Sequence, residues 1–289
     1  MTRPTVAFLS DYGHADEFVG VCESVIASLA PDTRVVHLTH GIAAHDVRGG
    51  ALALVRSVQY LPDGCIVLAV VDPGVGTDRR LVAVEVEHGV LLGPDNGLLA
   101  PAVAMAGGAR RVIALTNDEY RLEAPGATFA GRDVLAPAAG YLASGTLITE
   151  LGEALDPASL TPGLVALPNV EPDGVVEAEV WWVDRFGNCQ LNVDPEDLAT
   201  FGVGMGDTIE VQIGERTRGA RWVGTYADAK PSELVVVVDG YGLLSLALDR
   251  ASAAAECSLS AGSAVTLRLP VAVPVDVPQP DESPGEPRS

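Results

Sequence analysis

Residues Cys65–Arg80 read CIVLAVVDPGVGTDRR. Seven apolar residues end abruptly at Asp72, a Pro-Gly-Val-Gly turn follows, and Arg79 and Arg80 close the stretch. An apolar run of that length, bounded by Gly64 and the Pro73–Gly74 pair, reads as a buried parallel strand. Asp72 then stands at the strand's C-terminal end, the edge at which open α/β sheets bind ligands. Asp72 and Arg79 lie seven residues apart across a glycine loop, so the two opposite charges can face each other.

Outward from this strand, short apolar runs alternate with helical patterns. Val6–Ser10 (VAFLS) and Val35–His40 (VVHLTH) read as strands, and Asp16–Ala30 and Asp46–Tyr60 as helices. Leu81–Glu87, Val90–Pro94 and Arg110–Leu115 add further strands. Such alternation predicts an α/β domain with a mainly parallel sheet over residues 1–165. Pro157, Pro162, Pro168 and Pro172 then punctuate a stretch without helical period, and residues 166–178 are read as a linker. From 179 to 271 the chain is strand-like: VWWVD, TIEVQI, ARWVGTY, ELVVVVDG, LLSLAL and AVTLRL, separated by Gly, Asp and Pro turns. Several short strands at close spacing predict a smaller C-terminal all-β barrel domain. Residues 272–289, rich in Pro, Asp and Glu, are expected to be disordered.

Composition narrows the function. The chain has 289 residues, is 48% hydrophobic and carries a formal charge of −21. That charge argues against nucleic acid, since phosphate binding needs a basic face. No apolar stretch reaches the roughly 18 residues that span a bilayer, so no membrane partner is expected. The N-terminus runs directly into a strand pattern without a signal-peptide profile, which predicts a cytoplasmic protein. Cys22, Cys65, Cys189 and Cys257 are widely spaced, with no CxxC pair; buried free thiols and no metal site are expected.

Three strand ends deliver polar groups to one sheet edge: Asp11 after the first, His40 and His45 after the second, and Asp72 after the third. Together they favour a site there. Asp95-Asn96-Gly97 reads as a structural turn. Gly131, in TFAGRDVLAP, precedes a helix and permits close approach of a ligand to the backbone. In VDRFGN, Asp184, Phe186 and Asn188 surround a glycine turn. An amide beside an aromatic suits a nucleobase, and a tight turn held by an Asx bond fits the same residues. The dinucleotide fingerprint, the phosphate-binding loop, HExxH and the GxSxG elbow are all missing from the sequence.

The ordered set FLSDYG, LTHGI, HDVRGGA, VVDPGVGTDR, GPDNGLL, TFAGRD and VDRFGN resembles the S-adenosylmethionine hydroxide adenosyltransferases, relatives of the fluorinases and chlorinases. The resemblance covers roughly residues 5 to 270. It implies hydrolysis of S-adenosylmethionine to adenosine and L-methionine, with no cofactor, in a homotrimer whose site lies at the subunit interface. By the same resemblance Asp72 and Arg79 position and activate water, Asp11 binds the ribose hydroxyls, Phe186 and Asn188 hold adenine, Asp184 contacts the methionine amino group, and Tyr226 packs against the base. His45 falls where the halogenases carry a tryptophan over the ribose.

A water nucleophile fits Asp72, because the halogenases resembled here carry tyrosine at that place and a carboxylate repels halide in a desolvated pocket. The sequence departs from the family pattern at Ala130, where TFHGRD is usual, and at Gly240 and Tyr241. Compensation by His45 or His14 is one expectation. A different nucleophile such as chloride, and a protein that binds adenosine or S-adenosylmethionine without turnover, are the other readings the sequence leaves open.

Overall fold

The computed structural model describes residues 4–269, which divide between Ala166 and Leu167 into two compact units. The acidic tail expected at 272–289 lies outside the described residues.

The first unit is an α/β domain. Its strands are β1 (Thr5–Ser10), β2 (Arg34–Thr39), β3 (Cys65–Val70), β4 (Leu81–Val86), β5 (Gly89–Pro94), β6 (Arg111–Ala114) and β7 (Glu153–Leu155), in the order β2-β1-β3-β5-β4-β6-β7. The pairs β1–β2, β1–β3 and β3–β5 are parallel, and β4 and β7 run against the rest, so five of the seven strands point one way. All six residues of β3 are buried, because it pairs on both edges and is covered on both faces.

Successive strand residues alternate between two cores. Val6, Phe8, Leu68 and Val70 meet α1 (Phe18–Leu29) and α4 (Ala136–Ser144) through Cys22, Ile26, Ala136 and Ala139. Ala7, Leu9, Val67, Ala69 and Val71 meet α2 (Val47–Val58) and α3 (Ala100–Met105) through Ala53, Leu54, Ala102 and Val103. Burying each large side chain contributes about 1.5–3 kcal/mol, so the period-two pattern of β1 and β3 holds both helical layers. Helix α2 starts where Asp46 accepts a hydrogen bond from Gly49 N (2.8 Å), satisfying an orphan donor of the first turn.

The Asp95-Asn96-Gly97 turn is structural, as expected. Asn96 Nδ2 donates to Val71 O (2.9 Å), Asp95 Oδ1 accepts from Thr161 N (2.8 Å), and Arg80 pairs with Asp95. The proline-rich stretch up to Gly163 is thereby tied to this unit.

The second unit is a barrel. Its strands are β8 (Asn169–Val170), β9 (Val175–Val183), β10 (Cys189–Leu191), β11 (Thr208–Ile213), β12 (Arg216–Trp222), β13 (Val235–Val238), β14 (Leu244–Ala247) and β15 (Ala264–Arg268). Seven of them close in the order β10-β14-β13-β12-β11-β15-β9, with β9 pairing back to β10 and β8 added beside β9. Inward residues such as Val176, Val180, Leu191, Val211, Val236, Leu246 and Leu267 fill the interior. Residues 166–178, read from the sequence as a linker, contain β8 and the start of β9: Asn169 and Val170 pair with Glu177 and Val176 across the Asp173–Gly174 turn. Two short helices, α5 (Pro195–Ala199) and α6 (Ala253–Cys257), interrupt a region read as strands throughout.

Candidate functional site

Within the α/β unit the strand order places β1 between β2 and β3, so the connection after β1 runs one way, to β2, and the connection after β3 the other way, to β4. The crevice between the C-terminal ends of β1 and β3 is therefore a topological switch point, where such sheets bind ligands. Asp11 leaves β1 there, its amide donating to Val70 O at 3.2 Å, and Asp72 follows β3.

Asp72 and Arg79 face each other as the spacing implied. Arg79 Nε lies 2.6 Å from Oδ1 and 2.8 Å from Oδ2 of Asp72, and Nη2 also donates to Oδ2. Their side chains are only 7% and 15% exposed, so the pair is held largely out of water. The loop between them is built for this: Val75 N donates to Asp72 O (3.3 Å), Thr77 Oγ1 to Gly74 O (2.7 Å), and a Cβ at Gly74 would stand 3.0 Å from Arg79 Cδ. A bidentate guanidinium fixes the plane of the carboxylate, leaving its remaining lone pairs for a small polar reactant.

Asp11 Oδ2 accepts from His45 N at 2.9 Å, and His45 adopts φ +68° to present that amide. The contact is through the backbone, and the imidazole of His45 is exposed. Gly131 is buried beneath Tyr12: a Cβ there would lie 2.1 Å from the Tyr12 hydroxyl. The space expected for a ligand's approach to this glycine is thus taken by a side chain that the sequence reading passed over, although Tyr12 adjoins Asp11. Tyr12 packs edge-on against Phe18 and Phe129, at 5.6 and 5.7 Å between ring centroids. Burial first, then the charges of Cys22, Asp11, Asp72 and Asp133, push its hydroxyl well above the usual tyrosine range and keep it a donor. Ala130 lines a cavity of about 900 Å³ together with Thr77, Arg79, Arg80 and Arg121.

The barrel carries a second cluster. Asp184 Oδ1 accepts from the amides of Phe186 (2.8 Å) and Asn188 (2.9 Å), and its Oδ2 from Asn188 Nδ2 (2.8 Å). The Asx-bonded turn is therefore real, and it presents rather than hides its side chains: Phe186 is 72% exposed. Because Asn188 gives one amide proton to Asp184, its Oδ1 and second proton remain available to a planar donor–acceptor edge. Phe186, Asn188, Tyr226, Leu248, Arg250 and Ser252 line a cavity of about 450 Å³. A cavity of about 150 Å³ shares Asn188 and Tyr226 and adds Trp182, Asp184, Gln190 and Asp239. Gln190 is buried, gives Nε2 to Asp239 Oδ2 (2.6 Å) and, among the described residues, has no hydrogen-bond partner for Oε1. Burial, followed by the charges of Asp184 and Asp239, raises the Tyr226 hydroxyl above its ordinary range.

The candidate residues thus form two groups: Asp11, His45, Asp72, Arg79 and Gly131 on the α/β unit, and Asp184, Phe186, Asn188 and Tyr226 on the barrel. Gln190 and Asp239, which line the smaller barrel cavity, and Tyr12, which packs against Gly131, are residues that the sequence reading missed.

The two-unit architecture recurs in a conserved protein from Thermotoga maritima, whose crystal structure matches with a TM-score of 0.86 at 29% identity over 91% of this chain and 99% of that one. Residues 6–152 match the SAM hydroxide adenosyltransferase N-terminal domain, and residues 178–266 the corresponding C-terminal domain. An (R)-S-adenosyl-L-methionine hydrolase from Salinispora tropica is 42% identical over 87% of this chain and 92% of its own length. A fluorinase from an Actinoplanes species is 26% identical over 92% and 97%. The chain belongs to the SAM hydroxide adenosyltransferase family. Among the described residues no helix is long and apolar enough to cross a membrane.

Proposed function

We propose that this chain is an S-adenosylmethionine hydrolase that directs water to C5′ and releases adenosine and L-methionine. The observation that carries the reading is the Asp72–Arg79 pair at the switch point of a sheet whose family relatives include a named hydrolase of this substrate. In the step proposed, the water oxygen bonds to C5′ as the C5′–sulfur bond breaks. The bonding pair leaves with sulfur, turning the sulfonium into the neutral thioether of methionine. The water's proton passes to Asp72 and then to solvent, while Arg79 fixes the carboxylate and so the line of attack. No cofactor takes part, because the leaving group is already activated by its positive charge.

The remaining assignments are part of the same proposal. Asp11 holds the ribose hydroxyls. Phe186 and Asn188 hold adenine, with Tyr226 against the base. Asp184 and Asp239 give the smaller barrel cavity a negative lining suited to the ammonium of methionine. The ligand lies between the α/β unit of one copy and the barrel of a neighbouring copy in a homotrimer. Support comes from the barrel half-site, where Phe186 is 72% and Tyr226 44% exposed. Four buried unpaired cysteines fit a reducing compartment, in keeping with a cytoplasmic location.

Incubation with S-adenosylmethionine, with and without chloride, tests the reaction. Adenosine and methionine in equal amounts, independent of chloride, are expected. A product of 5′-chloro-5′-deoxyadenosine that rises with salt would replace water as the nucleophile, and intact substrate retained on the protein would make this a binder. The assembly is tested by light scattering, where the expected mass is three times the 29.9 kDa chain. A monomer with full activity would remove the interface site.

A further inference from the structure

The α/β unit holds a line of polar side chains that the reaction above does not use. Ser10, at the end of β1, lies with its Oγ 2.7 Å from His40 Nδ1. His40 Nε2 lies 2.8 Å from His37 Nδ1. His37 Nε2 lies 3.4 Å from Glu23 Oε2 on α1. At the other end Ser10 Oγ accepts from the backbone amide of Tyr12, the residue that follows Asp11, at 3.2 Å. Ser10 and His40 are buried, whereas His37 and Glu23 are 38% and 46% exposed at the side chain. The residues come from β1, α1, β2 and the turn after it, so only the fold brings them together.

The line has a direction. The Glu23 carboxylate, 3.4 Å from His37 Nε2, favours by its negative charge the tautomer with the proton there. In that tautomer His37 offers its Nδ1 lone pair, which calls for a proton on His40 Nε2. A neutral His40 offers its Nδ1 lone pair to the Ser10 hydroxyl. The Ser10 proton is thereby committed away from the loop, and an oxygen lone pair stays fixed on the Tyr12 amide. His40 suits the part. Burial, then the charges of His37 and His14, push its imidazole down to about 4, so it remains neutral near pH 7. Its surroundings are the Phe8 ring edge-on at 4.7 Å, the His14 ring at 5.3 Å from the loop after β1, and His37 on β2.

We infer that Ser10, His40 and His37 form a one-way hydrogen-bond relay, oriented by the charge of Glu23, in which His40 is the positioning residue for the loop that carries Asp11. Three clamps meet on that loop: Tyr12 N to Ser10 Oγ, Gly13 N to His40 O at 2.8 Å, and His45 N to Asp11 Oδ2 at 2.9 Å. The relay fixes the first and shares a residue with the second. Its effect on catalysis rests on the reading of Asp11 as the ribose ligand; its hydrogen-bond order does not.

The experiment uses the full chain. Nitrogen-15 spectra of the imidazoles are expected to place the proton on Nε2 in both His40 and His37 at neutral pH. His40→Phe keeps the ring's volume and removes both polar atoms. In that variant the Tyr12 and His45 amides are expected to lose exchange protection, and KM for S-adenosylmethionine to rise about tenfold, with kcat changing far less. His40→Gln, which keeps an acceptor and a donor on one side chain, is expected to recover much of the protection and of KM. A purely space-filling role predicts the opposite ranking. If His40→Phe fails to fold, Ser10→Ala takes the same amide and KM measurements. A proton on His40 Nδ1, or unchanged Tyr12 and His45 protection in the variants, overturns the relay. Loss of protection without any turnover by the wild-type chain would leave the relay standing and remove the hydrolase reading.

Discussion

Replacing Asp72 with asparagine lowers kcat for adenosine formation by about 10²–10⁴-fold, the range for removing a positioned general base, while binding of S-adenosylmethionine changes little. Asparagine keeps the outline of the side chain but takes no proton from water. It also sets an amide N–H against Arg79, whose Nε and Nη2 both donate to the carboxylate, so the guanidinium loses one of its two acceptors. Arg79→Lys separates these effects. Lysine restores a positive charge without the planar fork, so it should recover less of the rate than charge alone predicts if the guanidinium sets the angle of Asp72. Single-turnover kinetics beside calorimetry read the two quantities apart. Equal losses in turnover and affinity for Asp72→Asn would make Asp72 a binding group and leave the proton acceptor elsewhere.

This pair was legible in the sequence because all its determinants are local. The strand, the glycine turn and the two charges fall within Cys65–Arg80, and the apolar run matches a strand paired on both edges. Strands β1 and β4 were legible for the same reason, although LVAVEV does not reveal that β4 runs antiparallel to both β5 and β6. Elements that depend on partners were not legible. Helix α3 has six residues and begins with a proline near its N-terminus, too short for a helical period to register. Strand β10 has three residues and is defined by pairing with β9 and β14 on either side. Strand β8 is two residues that read as linker until β9 folds back beside them.

The site divides in the same way. Asp11 and Asp72 announce themselves as strand ends, and Asn188 as an amide beside an aromatic. The role of Gly131 is set by the Tyr12 hydroxyl, more than one hundred positions away in sequence, and nothing in TFAGRD points to it. Asp184 read as a ligand group; that its three side-chain hydrogen bonds also hold the turn presenting Phe186 and Asn188 emerges only in the fold. The line from Ser10 to Glu23 crosses β1, α1 and β2, and its members are unremarkable polar residues until the parallel pairing of β1 with β2 sets them side by side.

Replacing Gly187 with alanine is expected to cost the barrel about 2–5 kcal/mol, from a left-handed backbone and from overpacking. Gly187 adopts φ +85°. A Cβ there would lie 2.1 Å from Ser252 Oγ and 2.8 Å from Ser252 Cα, so no rotation of the serine side chain relieves the contact. Ser252 caps α6, its Oγ accepting from Ala255 N at 3.0 Å, and Ala254 N donates to Gly187 O at 2.9 Å. The glycine turn and the helix start are thus one unit, and separating them moves Phe186 and Asn188 together. Asn188→Ala is the sharper comparison. It deletes one amide from the same cavity and should weaken adenosine binding by about 1–3 kcal/mol, with much smaller effect on the thermal midpoint of the barrel. Gly187→Ala should lose both, and lose more affinity than Asn188→Ala, because it displaces the ring as well as the amide. Thermal unfolding and adenosine titration of the two variants decide the matter. Native stability with native affinity in Gly187→Ala would mean that the turn yields without strain. Native stability with lost affinity would mean that it holds the base by the exact placement of Phe186, not by the rigidity that Ser252 imposes.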